Sequence, residues 1–168
     1  MSCHLSFPVP DSVSIATVPV SRAPSVPDPA PMAREELGAL LNVLLEAERA
    51  GAKLLAAYLD ELPPGTDRWI GLHVVQRDEA RNCAVLIHYL LEADVTPSMS
   101  TGDFYKRGLE LRSWRERLEF LNRGQRWVAK RIEAALPRIP ACAGKDALQA
   151  MHQSHLSNID LCEQLLAD

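Results

Sequence analysis

LGALLNVLLEAERAGAKLLAAYLDELPPG (residues 37–65) carries an apolar helical stripe with a single acid inside it. Leucine and alanine recur at steps of three and four residues, which is typical of a helix face that packs on a core. Pro63-Pro64-Gly65 then predicts the end of this first helix. Glu48 falls in the middle of the stripe, whereas Glu46 points nearly opposite. An ionised carboxylate in a core is costly unless a cation or a strong donor meets it, so Glu48 suggests a site.

The same spacing continues through three later segments, and no strand-like alternation follows the N-terminal region. Asp67 is the predicted N-cap of the second helix. Ser113 and Glu116 have the spacing of a capping box, which predicts the start of the third helix, and Pro137 its end. Asp146 opens the fourth helix. The sequence therefore predicts an all-α protein with four long helices.

The connection from about residue 94 to 112 is much longer than the turns that join helices 1–2 and 3–4. Fully extended it reaches roughly 60 Å, enough to run the length of a bundle of about 40 Å. Phe104, Tyr105 and Leu109 predict a short helix within it. One long crossover between two hairpins is the arrangement of ferritin-like four-helix bundles, and this is the predicted fold. A simple up-down bundle is the alternative, because a long loop need not cross.

Residues 1–33 form a proline-rich segment without helical periodicity, ahead of the bundle domain predicted over 34–168. Such composition predicts an extended or disordered tail. Three interpretations stay open: a solvated tail, a docking peptide, or untranslated sequence upstream of a start at Met32.

The net charge of −4 argues against a nucleic-acid partner, which would require a basic face. No apolar run approaches the roughly 20 residues needed to span a bilayer, so no membrane role is expected. The four cysteines lack CxxC spacing, which disfavours a zinc knuckle or a redox dithiol. We interpret the chain as a cytoplasmic protein.

Each of the other three long helices also carries one polar residue inside its apolar stripe. These residues are Glu79, Gln125 and His155. Counted from the predicted helix ends at 1.5 Å per residue, Glu48 and Glu79 lie within about 3 Å of the same level, and Gln125 and His155 match similarly. We therefore expect the four side chains to converge near mid-height. A buried polar network and a metal site are about equally compatible with this pattern.

Carboxylates combined with imidazole suit iron, manganese or zinc. Ferritin-like di-iron proteins place Glu on two helices and Glu-x-x-His on the other two. This chain departs from that template at three positions, and its corresponding residues are Glu48, Glu79-x-x-Asn82, Gln125 and His152-x-x-His155. With only two carboxylates, a single ion held by Glu48, Glu79 and His155 is the predicted site, completed by His152 or water. Gln125 and Asn82 are predicted to contact a cofactor there.

Five segments are distinctive when they are taken together: LLEAERAG (44–51), RDEARNC (77–83), TGDFYKRG (101–108), ERLEFLNRGQRWV (116–128) and SHLSNI (154–159). Together they resemble an uncharacterised bacterial family of ferritin-like domains. The resemblance covers roughly residues 35–168 and implies a ferritin-like fold, but no particular reaction.

The functional expectation is a degenerate carboxylate/histidine metal site. If the protein is an enzyme, oxygen- or peroxide-linked oxidoreductase chemistry fits such ligands best. The alternative is a metal-free bundle that acts as a binding or assembly module, with Glu48 and Glu79 paired to arginine or joined to Gln125 and His155. The expected partners are a small-molecule ligand, bound in a pocket, and further copies of the same chain, in a homodimer or another homo-oligomer.

Overall fold

The computed structural model describes residues 29–167, and over this range the chain is all-helical and contains no strand. Residues 29–33 lead into the first helix without regular structure, and the interpretations of residues 1–28 concern residues outside the described range. No helix within residues 29–167 is long and apolar enough to cross a membrane. The helices are α1 (Arg34–Asp60), α2 (Asp67–Glu92), α3 (Phe104–Leu109), α4 (Trp114–Ala135) and α5 (Ala143–Ala167).

Side-chain caps fix the starts of α2 and α4. The predicted N-cap of α2 is wrong by one residue: the Thr66 hydroxyl accepts from the Trp69 amide, and Asp67 is the first helical residue. At α4 the predicted capping box is confirmed, since the Ser113 hydroxyl accepts from the Glu116 amide and the Glu116 carboxylate accepts from the Ser113 amide.

Two other helix boundaries differ from the prediction. α5 begins at Ala143 rather than at Asp146, so the acid lies in its first turn, where it complements the helix dipole. α4 ends at Ala135, and Pro137 lies in the 3-10 turn Leu136–Arg138 that follows. Both differences are shifts of a few residues within correctly predicted helices.

The contacts at the two ends of the bundle define how the helices run. Arg34 at the start of α1 meets Asp94 just beyond the end of α2. Glu61 at the end of α1 accepts from Arg117 at the start of α4, with 2.6 Å between the closest atoms. The α2–α4 connection therefore travels from one end of the bundle to the other. α1 packs antiparallel to both α2 and α4, and α5 packs against α4 and α2.

The short helix α3 lies within this connection, as predicted, and is fixed to α1. The Tyr58 hydroxyl donates to the Gly108 carbonyl oxygen at 2.7 Å. A β-carbon at Gly108 would lie 2.3 Å from Leu54 Cδ2, so only glycine allows α3 to approach α1 this closely. The connection is thereby packed on the bundle rather than looping into solvent.

The core consists of two hydrophobic clusters, one toward each end of the bundle. In every long helix the two clusters are separated by about two to three turns, and the polar residues singled out from the sequence lie in that interval. One cluster contains Leu41, Leu44, Leu45, Leu86, Leu90, Val128, Ile132, Leu148 and Met151. The other contains Leu54, Leu55, Tyr58, Leu72, Val75, Leu118, Leu121, Cys162 and Leu165.

Candidate functional site

One side chain from each long helix forms a polar layer between the two hydrophobic clusters. This waist layer consists of Glu48 on α1, Glu79 on α2, Gln125 on α4 and His155 on α5, each no more than 4% exposed. The expected convergence of the four residues at one level is thus confirmed. The amphipathic stripes place these residues inward, and the antiparallel packing aligns their heights.

A continuous chain of hydrogen bonds joins the waist layer. Asn82 Nδ2 donates to Glu48 Oε2 at 3.1 Å, and Glu48 Oε1 lies 2.8 Å from His155 Nε2. The other ring nitrogen, Nδ1, lies 2.5 Å from Gln125 Oε1. Gln125 Nε2 in turn donates to Glu79 Oε1 at 2.5 Å. The network therefore runs through all four long helices and ties the two hairpins together at mid-height.

The hydrogen-bond partners of His155 indicate where its protons lie. Gln125 Oε1 can only accept, so His155 Nδ1 carries a hydrogen and donates it. His155 Nε2 and Glu48 Oε1 then share one proton between them. Whichever atom holds that proton, the Glu48–His155 pair carries no net charge, which limits the cost of burying it.

Glu79 is the member of the layer whose partners are incomplete. Its Oε2 is buried and has no hydrogen-bond partner within residues 29–167. Burial raises the pKa of the Glu79 carboxyl well above its usual range, and the nearby Glu48 carboxylate raises that pKa further, while the Gln125 hydrogen bond opposes both effects. The neutral acid is therefore favoured in the metal-free protein, with one oxygen free to meet a ligand.

The space that Glu79 occupies exists because residue 51 is a glycine. A β-carbon built on Gly51 would lie 2.1 Å from Glu79 Oε2, far inside contact distance. In the sequence, Gly51 is only one more member of the apolar stripe of helix 1. Its role depends on how α1 and α2 are rotated against each other, for which the sequence carries no direct signal.

The other predicted residues differ in how closely they approach the layer. Asn82 is buried and bonds to Glu48, so it supports that acid. His152 is half-buried, one turn before His155, and it neither lines the central cavity nor hydrogen-bonds to the layer. Of the two alternatives for a metal-free bundle, the structure shows the joining to Gln125 and His155 and not the pairing to arginine. Arg81 bonds to Asp78 and Arg117 to Glu61, and no arginine within residues 29–167 forms an ion pair with either buried acid.

Other buried polar groups surround the layer. Burial raises the pKa of the Cys83 and Cys162 thiols to about 12, which favours the unreactive thiol in the metal-free protein. Asn122 and Asn158 are also buried, and each has one side-chain atom without a partner in the described part of the chain. The apolar stripe of the last helix does not single out Asn158, which lies three residues after His155.

A cavity of about 440 Å³ opens beside the layer, between α1, α3 and α4. Glu48, Glu79, Gln125 and His155 all contribute to its lining, so the waist layer forms its polar floor. Its walls are mainly apolar, and its mouth lies under the connection that carries α3. This combination of an apolar cavity and a few converging polar groups is typical of a ligand site.

The donor types of the layer fit one hard or borderline metal ion. Two carboxylates and an imidazole are available, and Glu79 Oε2 is a buried oxygen without a partner. In the hydrogen-bonded arrangement described above, however, no group of three or more His, Cys, Asp or Glu side chains in residues 29–167 is positioned around an ion. An ion would have to displace the proton that Glu48 and His155 share.

Comparison with known proteins places the chain in one family. The model of a family described as a domain of unknown function (DUF6306) matches residues 35–164, which include α2, α3, α4 and nearly all of α1 and α5. No curated protein and no solved structure matches the chain.

Proposed function

This chain belongs to the DUF6306 family, and we propose that it is a ferritin-like bundle that binds a single divalent transition-metal ion at its waist. The ferritin-like assignment is supported by two antiparallel hairpins, a connection that passes from one end of the bundle to the other, and one inward polar residue on each long helix. Inward polar side chains on facing helices are also what a bundle uses to build a metal site in its core.

The observation that carries the metal proposal is the buried, unpartnered Oε2 of Glu79, in the same layer as a second carboxylate and an imidazole. Glu48, Glu79 and His155 would hold the ion, and water would complete the set, since His152 does not line the cavity. Binding would displace the proton of Glu79 and the proton shared by Glu48 and His155, so metal affinity should rise with pH.

The residues around the ion have roles of their own. Asn82 orients Glu48 through its second oxygen, and Gln125 orients both Glu79 and His155. The adjoining cavity admits a small molecule to the floor of the site. A bound iron or manganese ion would supply oxygen- or peroxide-linked redox chemistry, which is the reaction class that we propose if the protein is an enzyme.

Metal analysis of the full chain, purified without a histidine tag after growth with added iron, manganese and zinc, tests this proposal. We expect about one ion per chain in the wild type and close to none in Glu48→Gln/Glu79→Gln. The matched control is Glu35→Ala/Glu133→Ala, which removes two exposed acids from α1 and α4 and should retain the metal. Metal retained in the glutamine variant would contradict the proposed ligands.

A metal-free network is the second candidate function, and one observation favours it. Both ring nitrogens of His155 and both oxygens of Glu48 already have hydrogen-bond partners. In this case the layer would fix the register of the two hairpins in a binding or assembly module. A wild-type chain that stays metal-free after supplemented growth, with a cooperative unfolding transition, would support this candidate and exclude the first.

A further inference from the structure

The mouth of the central cavity carries two cations that no acid neutralises. Arg107 on α3 and Arg123 on α4 both line the cavity. Neither guanidinium forms an ion pair or a side-chain hydrogen bond within residues 29–167, whereas six other arginines in this range form ion pairs. Ion pairs are formed by Arg34, Arg81, Arg115, Arg117, Arg126 and Arg138.

Both arginines contact the same aromatic ring. The guanidinium carbon of Arg107 lies 5.7 Å from the centre of the Phe120 ring, and that of Arg123 lies 5.5 Å from the same centre. Such cation–π contacts are worth about 0.5–1 kcal/mol at exposed sites. The repulsion between two neighbouring cations opposes them, and a bound anion would relieve it.

The acids at the cavity mouth form no ion pair with either of these two arginines. Glu46 lines the cavity, but its carboxylate accepts from the Ser98 hydroxyl at 2.5 Å. Asp103 also lines it, one turn before Arg107, and forms no ion pair with that arginine. The mouth therefore presents two guanidinium groups, both beside the Phe120 ring, that have no acidic partner within residues 29–167.

The cavity wall indicates what such an anion is attached to. Phe104 stacks on Phe120 with 4.3 Å between ring centres and an interplanar angle of 21°. Gly124 makes room for this stack, since a β-carbon there would lie 2.8 Å from Phe104 Cζ. Leu121, Val128 and the partly exposed Trp127 continue the apolar wall. The wall therefore suits an apolar or aromatic body rather than a sugar.

We propose that this cavity binds a small aromatic monocarboxylic acid, with its carboxylate between Arg107 and Arg123 and its ring against the wall formed by Phe104, Leu121 and Trp127. Guanidinium groups recognise carboxylates through paired, charge-assisted hydrogen bonds. A cavity of about 440 Å³ is in the size range of small-molecule sites, and the net charge of −4 disfavours a large polyanion. The inference does not depend on a metal, because the arginines lie at the mouth and not in the waist layer.

Two probes of equal shape test this proposal on the full, metal-free chain. The acid is 3-phenylpropionate, and its uncharged counterpart is 3-phenylpropan-1-ol. Titration calorimetry should show tighter binding of the acid to the wild type, and the change in total tryptophan fluorescence, to which Trp127 contributes, should follow the same curve. Arg107→Ala/Arg123→Ala should weaken binding of the acid about tenfold and leave binding of the alcohol nearly unchanged.

Two further variants keep the test decisive. Lys106→Ala/Lys130→Ala removes two exposed cations from the same two helices. Neither lysine lines the cavity, so this variant should bind the acid as the wild type does. Ala47→Phe fills the half-buried wall from α1 and should abolish binding of both probes. Equal loss of acid binding in the arginine and lysine variants would mean a general charge effect and would overturn the proposal. Binding of neither probe to a folded wild type would overturn it as well, whatever the metal content.

Discussion

Gly51 and Glu79 face each other across the α1–α2 interface, at a distance that leaves no room for a methyl group. Gly51→Ala should therefore destabilise the fold by about 1–3 kcal/mol, although alanine is the better helix former, because the added β-carbon meets the carboxylate at 2.1 Å. Urea unfolding of the metal-free protein measures the change.

Gly144→Ala is the matched control for this change, since its β-carbon would meet neighbours at ordinary contact distances of 3.4 Å or more. It should leave the free energy of unfolding unchanged or slightly higher. In a Glu79→Ala background, Gly51→Ala should lose most of its cost. A full cost in that background would show that the carboxylate is not what Gly51 accommodates.

The raised pKa of Glu79 gives the stability of the metal-free protein a pH dependence. The folded state binds the Glu79 proton more tightly than the unfolded state, so this contribution is fully present below the ordinary pKa of 4.5 and is lost as the pH rises toward the folded pKa. Glu79→Gln keeps a neutral side chain at every pH. We expect its free energy of unfolding to exceed that of the wild type increasingly from pH 5 to 8, measured with urea in the presence of a chelator.

A pH-independent difference between Glu79→Gln and the wild type would contradict the raised pKa. Glu133→Gln is the control, because Glu133 is an exposed acid on α4 that lies outside the waist layer and does not line the cavity. Its stability profile should lack the upward divergence with pH.

The residues of the waist layer could be predicted because each conflicts with its own helix face. Glu48, Glu79, Gln125 and His155 interrupt apolar stripes, and counting residues from the helix ends was enough to match their heights. Their partners could not be predicted in the same way. The bond from Asn82 to Glu48 and the contact of Gly51 with Glu79 depend on rotations of α1 against α2 that one sequence does not determine.

The short helix α3 is fixed to α1 through one buried hydroxyl. Tyr58→Phe removes the donor to the Gly108 carbonyl, which should cost about 1–2 kcal/mol and loosen α3 over the cavity mouth. Hydrogen exchange should show faster exchange of the α3 amides, with little change in the middle of α1. The control is Tyr105→Phe, whose hydroxyl forms no hydrogen bond within residues 29–167. Equal exchange in both variants would contradict this role of Tyr58.

The helices could be predicted from local sequence signals, whereas their exact ends depend on competition between neighbouring capping residues. Phe104, Tyr105 and Leu109 predicted α3 because three apolar residues at helical spacing need a surface to cover. At α2, adjacent Thr66 and Asp67 are both good N-caps, and only the observed bond to the Trp69 amide distinguishes them. The long connection could be predicted to reach the far end, but not to form the wall of a cavity.

Across the whole molecule, the waist layer divides the core, and we expect it to serve function more than stability. Removing one partner leaves buried polar groups without bonds, so His155→Leu should destabilise the fold by about 3–5 kcal/mol. Replacing the layer together, as Glu48→Met/Glu79→Met/Gln125→Leu/His155→Leu, should bring the stability back to near or above that of the wild type. Urea unfolding compares the three proteins.

The same experiment has a clear opposing result. A combined variant that is less stable than His155→Leu alone would show that the hydrogen-bond chain itself stabilises the bundle.

Homo-oligomerisation stays a prediction. Ile70 and Val74 are exposed one turn apart on α2, and light scattering of the full chain would measure the assembly state.

The division of the waist layer among four helices also bears on how the protein is made. Glu48 and Glu79 leave the ribosome first, on the α1–α2 hairpin, but the imidazole arrives only with α5. On that hairpin alone, the two acids would meet no strong donor except Asn82. A nascent N-terminal hairpin should therefore keep these carboxylates in water, and the proposed metal ion would bind only after the second hairpin has docked.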